Sequence, residues 1–292
     1  MTTLINSVVA HLRGKAYAGR NLIVLSDDVF LVSYPRSGNT WLRFMIANLL
    51  NPHEPTTFLN IDRRVGDIYT RSQEALLQLP RPRILKSHEP FEPRYKNVIY
   101  VVRDPRDVVV SYYHWKRKRR AIPDGCPIEQ FVSQFVNGDI DPNLGSWAQN
   151  VGTWLTARQN TPGFVLVRYE DLLENAQQQL ARIAQFLKCQ VTPDQLRRAI
   201  SLASVEQMQD LERQQAHLWK GSKGFRQDIM FVRQGRAGSW RSELPGSSLS
   251  EIERTFGPVM MTLGYRQETR AAASELSARE STVLQRVQPE VG

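Results

Sequence analysis

The stretch Ser33-Tyr34-Pro35-Arg36-Ser37-Gly38-Asn39-Thr40-Trp41 gathers a cation, hydroxyls and a single glycine into one loop. Residue types of this kind suit an anion of the phosphate or sulfate class. Backbone N–H groups converge in a small-residue turn, and a helix starting there adds positive potential. The stretch is not a nucleoside-triphosphate loop, because it has neither a paired glycine nor Gly-Lys-Ser/Thr. An ordinary β-to-α turn is built from the same residues, so this stretch alone leaves both readings open. Farther on, Lys86 and His88 stand two residues apart, a spacing that puts them on one side of a strand. An unperturbed imidazole titrates near pH ~6.5 and can take a hydroxyl proton under neutral conditions. A lone histidine after a strand is more often structural than catalytic.

The elements that must carry these residues follow from the patterning. Val29-Phe30-Leu31-Val32 is a short apolar run of the kind a buried parallel strand shows. A helix to about 51 follows, with Trp41, Leu42, Met45, Ile46, Leu49 and Leu50 on its apolar face and Thr40, Arg43, Ala47 and Asn51 on the other. Residues 52–70 read as an irregular connection, and 72–79 as a short helix stopped by Pro80 and Pro82. Residues 83–86 and 98–102 are further strands. The second runs into Asp104-Pro105-Arg106-Asp107, a strong helix start with a cap, a proline at the first position and a carboxylate in the first turn. That helix ends in the basic run 116–120, read as a solvated terminus. Helices are expected near 127–137 and 145–159, a strand over 164–169, and helices from 171, 193, 204 and 248. Residues 213–240 read as an ordered loop or lid. Strands alternating with helices predict a parallel sheet covered on both faces. Ligands of such sheets bind beyond the carboxyl ends of the strands, where Arg36, Lys86, His88, Arg103 and Tyr169 all fall.

A chain of 292 residues can bury a sizeable core, and 41% hydrophobic with 23% charged residues is ordinary for a soluble globular protein. The formal charge of +9 favours an anionic partner. Cys126 and Cys189 are the only cysteines, which argues against a disulfide framework. With no apolar run long enough to span a membrane and no secretion-type leader, a cytoplasmic location is the default expectation. Two rival classes stand against an anion-group transferase. A phosphoryl-transferring, kinase-like enzyme would want the missing Gly-Lys-Ser/Thr loop. A nucleic-acid-binding module would spread its cations along one helix or groove, whereas here they gather at strand ends.

Several blocks, taken in order, resemble a known family. Residues 33–41 are similar to the 5′-phosphosulfate loop of the cytosolic-type sulfotransferases, and residues 100–114 to their 3′-phosphate segment. Lys86-Ser87-His88 matches the family's catalytic Lys-x-His; Gly145-Ser146-Trp147, Arg168-Tyr169-Glu170-Asp171 and residues 231–240 match further blocks. The resemblance is to a bacterial-type member of that family. It implies a P-loop-like three-layer α/β/α fold with a central, mostly parallel sheet and a single domain over 1–267, while the Ala-, Ser- and Glu-rich composition over 268–292 predicts a disordered tail. The resemblance also implies 3′-phosphoadenosine 5′-phosphosulfate (PAPS) as co-substrate, no metal, and a hydroxyl-bearing acceptor, with nucleic acid excluded as a partner.

Residue by residue, the resemblance assigns the donor's 5′ end to the backbone N–H groups of Ser37, Gly38, Asn39 and Thr40. Arg36 stands where most members have a lysine. Arg103, Ser111, Arg233 and Gly235 match the 3′-phosphate ligands, with Gln234 in place of a family lysine. Trp41, Tyr169, Val205 and Met208 match the adenine neighbours. His88 becomes the general base, with Lys86 and Arg36 stabilising charge on the departing phosphate. Asn150 occupies the place of a second histidine in many members. The family's dimerisation motif finds no match after Trp240, so the oligomeric state stays open.

Overall fold

The computed structural model describes residues 22–219 and 221–268. Five strands form one all-parallel sheet: β1 (Val29–Ser33), β2 (Val65–Asp67), β3 (Ile84–Ser87), β4 (Asn97–Val102) and β5 (Phe164–Arg168), in the order β2-β3-β1-β4-β5. Alternation along the strands divides the apolar side chains between two cores. Phe30 and Val32 join Val98, Tyr100 and Val102 on one face, while Val29 and Leu31 join Ile99 and Val101 on the other. Both faces are buried, which is why the strands read as continuous apolar runs rather than as alternating ones.

Helices α1 (Asn39–Leu50), α6 (Tyr169–Phe186) and α7 (Pro193–Ser201) cover the Leu31 face. Helices α3 (Pro105–Lys118), α4 (Ile128–Asn137), α5 (Trp147–Arg158) and α10 (Gly246–Thr262) cover the Val32 face. The expected three-layer arrangement is therefore present. The short α2 (Gln73–Leu77), α8 (Val205–Gln215) and α9 (Trp240–Glu243) complete the α-helices among the described residues. At α3 the expected start is seen in detail: the Asp104 side chain accepts from the Arg106 N–H, and Pro105 takes the first position. Asp107 does more than face the helix dipole. It accepts from the Gly238 N–H, the Ser239 hydroxyl and the Trp240 N–H, tying the late glycine-bearing block to the helix.

Three expectations need correction. The connection over 52–70 contains a 3₁₀ turn (Ile61–Arg63) and the edge strand β2, too short to announce itself by periodicity. Helix α1 is buried almost all round, so Arg43, expected on the polar side, is only 4% exposed; it pairs with Asp62 at 2.7 Å and donates to the Val65 carbonyl. In the basic run, Lys118 is 1% exposed rather than solvated. The tail expected to begin at 268 lies outside the described residues apart from Glu268.

Register decides what reaches the carboxyl edge of the sheet. Val32 pairs with Ser87, Ser33 with Val101, Asp67 with Lys86, and Val102 with Arg168. The residues following β1, β3, β4 and β5 emerge side by side, around the central strand at which the chain changes direction across the sheet.

Candidate active site

A cleft of about 710 Å³ opens at this edge. Its wall includes Arg36, Gly38, Asn39, Thr40, Trp41, Lys86, His88, Arg103, Ser111, Tyr169, Val205, Met208, Arg233, Gln234 and Gly235. Every site residue expected from the sequence is there except Ser37, which is fully buried inside the loop.

The loop after β1 is held by its own side chains. Asn39 donates through Nδ2 to the Leu31 carbonyl and to Ser33 Oγ, each at 3.2 Å, so that amide serves the turn. The Ser37 N–H donates to the Tyr34 carbonyl at 3.3 Å, which removes it from the expected set of free donors. The first turn of α1 has no side-chain cap and no acidic residue, and its leading N–H groups lack intrahelical acceptors. Gly38 has φ 96°, and a Cβ there would lie 2.5 Å from Tyr169 Cδ2. Gly38→Ala is expected to cost about 1–3 kcal/mol and to shift Tyr169. Urea unfolding and nucleotide titration of the variant measure the two effects.

Three guanidiniums meet beside this loop. Arg36 donates from Nε to Ser111 Oγ at 3.2 Å and from Nη2 to the Phe231 carbonyl at 2.9 Å, with its guanidinium 4.4 Å from the Phe231 ring centre. Desolvation first, then the Arg103 and Arg233 charges, bring its pKa down to about 10, so it remains a cation. Arg103 lies 4.2 Å over the Tyr169 ring and donates to the Arg236 carbonyl at 2.9 Å. Neither Arg36 nor Arg103 has a carboxylate partner among the described residues, and Arg103 Nε and Ser37 Oγ are buried with no partner at all. Arg233 is paired with Glu243 at 2.8 Å, which in turn bonds His114. Clustered like charges and unmatched donors make this region complementary to a polyanion.

Lys86 and His88 line the same cleft. His88 Nδ1 is 2.7 Å from the Ser33 carbonyl. A carbonyl can only accept, so Nδ1 carries the proton and Nε2 keeps its lone pair; Nε2 has no hydrogen-bond partner among the described residues. Burial, and then the Lys86 ammonium, push this imidazole well below its ordinary pKa. The residue is fixed at its backbone as well: its N–H donates to the Tyr69 hydroxyl at 2.8 Å, and its carbonyl accepts from Asn150 Nδ2 at 3.1 Å. Asn150 is fully buried and also receives the Tyr100 hydroxyl at 2.9 Å, a scaffolding position beneath His88.

Lys86 Nζ pairs with Asp67 Oδ2 at 2.8 Å. Burial raises the Asp67 carboxyl, but Lys86 and Arg43 outweigh it and bring the group down to about 2. Asp67 and Tyr69 went unnoticed in the sequence because they sit in the unpatterned 52–70 connection; only pairing of β2 with β3 sets Asp67 beside Lys86. On the remaining wall, Trp41 does not stand free: it donates from Nε1 to the Ala203 carbonyl at 2.9 Å and meets Tyr169 edge-on at 5.4 Å. Val205 and Met208 come from the first turn of α8, and Gly235 (φ 59°) approaches Val205 so closely that a Cβ would lie 2.1 Å from Cγ2. Gln234 is exposed at the rim.

Comparison with known proteins agrees with this architecture. Sulfotransferase 1B1 of Canis lupus familiaris is 28% identical over 260 residues, spanning 83% of this chain and 87% of the relative. Cytosolic sulfotransferase 12 of Arabidopsis thaliana is 28% identical over 274 residues, spanning 85% and 81%. The fold matches that of mouse sulfotransferase SULT7A1, solved in complex with PAP, with a TM-score of 0.67 at 22% identity over 89% of this chain and 91% of that one. These relatives are animal and plant proteins, which lends the bacterial-type reading no support. A family model for the sulfotransferase domain matches residues 26–264, most of the chain and all of the cleft: the chain belongs to the sulfotransferase family.

Proposed function

We propose that this protein transfers a sulfuryl group from PAPS to a hydroxyl, or an amine, of a small-molecule, lipid or carbohydrate acceptor, within a single catalytic domain. The observation that carries the reading is the meeting of Arg36, Arg103 and Arg233 beside an N–H-rich loop, two of the three having no carboxylate ion-pair partner among the described residues. The residues present fit a doubly phosphorylated adenosine. Arg103, Ser111, Arg233 and Gly235 would hold its 3′-phosphate. Gly38, Asn39, Thr40 and Arg36 would hold the 5′ end, and the buried Ser37 hydroxyl is an unmatched donor within the same loop. Trp41, Tyr169, Val205 and Met208 offer an apolar wall for the base.

The bound donor supplies an activated sulfuryl group on a phosphate leaving group. The chain's own part is to place, desolvate and move one proton. Tethered through Nδ1, His88 presents an unprotonated Nε2 that takes the acceptor proton. Lys86, ion-paired with Asp67, and Arg36 supply fixed positive charge where negative charge develops, so that little reorganisation accompanies reaction. Tyr69 and Asn150 hold the histidine backbone on both sides, which confines the base to one orientation.

Thermal shift separates this reading from its rivals. Stabilisation by 3′-phosphoadenosine 5′-phosphate, with no shift from ATP or single-stranded DNA, is the expected result. A comparable shift from ATP favours a phosphoryl-transferring enzyme, and one from DNA a binding module.

A further inference from the structure

The segment over 222–236 supplies Phe231, Arg233, Gln234 and Gly235 to the cleft, yet none of it belongs to a strand or helix. Its conformation must be set from outside, and one buried pair does this. Lys118, in the last turn of α3, and Glu212, near the end of α8, are 1% exposed each, with Nζ 3.2 Å from Oε1. Both side chains spend their remaining capacity on the segment's backbone. Lys118 Nζ donates to the Arg226 carbonyl at 2.9 Å and to the Ile229 carbonyl at 2.7 Å. Glu212 Oε1 accepts from the Phe231 N–H at 2.6 Å, and Oε2 from the Val232 N–H at 2.8 Å. The Lys118 carbonyl also accepts from the Arg226 N–H at 3.0 Å, and Gln209 Nε2 donates to the Val232 and Arg233 carbonyls.

The geometry assigns to Lys118 and Glu212 the role of positioning residues for donor binding: a buried clasp between α3 and α8 that fixes the loop bearing Phe231 and Arg233. The path to the anion site is direct. Phe231, gripped at its N–H by Glu212, receives Arg36 at its carbonyl and under its ring; Arg233 follows two residues later. Neither clasp residue lines the cleft, so any effect on the donor passes through the loop. A buried ion pair adds little net stability over an apolar pair of the same volume, because desolvation offsets the attraction. What apolar residues cannot reproduce are the four backbone hydrogen bonds, and these are what define the loop.

This inference rests on the donor site proposed above, and the test separates the two. Glu212→Gln, the double variant Lys118→Met with Glu212→Leu, and Gln209→Ala are compared with Arg103→Ala by calorimetric titration with 3′-phosphoadenosine 5′-phosphate and by steady-state kinetics. The double variant removes both charges together, leaving no unpaired buried ion, and serves where Glu212→Gln alone fails to fold. Expected is a weakening of nucleotide binding by roughly 2- to 30-fold, with a matching rise in donor KM and kcat at saturating donor within about threefold. A purely structural role would lower kcat in proportion to the folded fraction and leave KM alone, which overturns the inference. Unchanged nucleotide affinity in the clasp variants, alongside a loss in Arg103→Ala, also overturns it while leaving the donor site standing. Unchanged affinity in all of them rejects the donor site itself.

Discussion

His88→Ala is expected to reduce turnover by about 10²–10⁴-fold, the range associated with a positioned general base, while nucleotide affinity stays within a few-fold of the parent. The two readouts separate because, among the described residues, the His88 imidazole hydrogen-bonds only to Ser33 and to none of the three guanidiniums. A fall in both together, with loss of folded protein, would instead make His88 a structural residue; unchanged turnover would reject it as the base. The pH profile gives a second check. A depressed imidazole pKa means that the unprotonated, proton-accepting form persists to lower pH than for a free histidine. The acid limb of kcat/KM should therefore have its midpoint below the ordinary value of about 6.5. A limb centred at or above that value contradicts the assignment of the neutral base to His88.

Arg103→Ala is expected to weaken binding of 3′-phosphoadenosine 5′-phosphate by about 30-fold or more, on the order of 2 kcal/mol at the lower end for a buried charged contact. Arg103 is almost fully buried, rests on Tyr169 and donates to the Arg236 carbonyl, yet its Nε has no partner, so its desolvation is offset only in part until an anion arrives. Arg103→Lys keeps the charge and loses the planar fork, and an intermediate affinity is expected. Binding unaltered in both variants would contradict the role given to this residue.

The legibility of the chain varied with the range of the interactions involved. Strands β1 and β4 are short apolar runs buried on both faces, β5 at the sheet edge is an apolar run that is half-buried, and helices start at caps made within a few residues, as at Asp104-Pro105 and Thr192-Pro193. Such signals are local, so element type and order could be read directly. The same holds for the cations at the strand ends, since a strand that stops at residue 87 or 102 must deliver residue 88 or 103 to the edge. Strand β2 was not legible, because its three residues carry no period and are strands only through pairing with β3. Lys118 was misread for a related reason. Within a run of basic residues nothing distinguishes it from its neighbours, and only the approach of α8 and the 222–236 segment removes it from water.

Composition, local patterning and motif order by themselves determined an α/β protein with cations gathered at the carboxyl edge of its sheet and a histidine and lysine two residues apart at the end of one strand. Tertiary structure alone decided the proton's place on His88, which depends on the carbonyl of Ser33, fifty-five positions away. It alone set Asp67 against Lys86 and Glu212 against Lys118. A side chain's chemistry is printed in its own letter, whereas its protonation, its partners and its exposure belong to whatever distant chain segment folds against it.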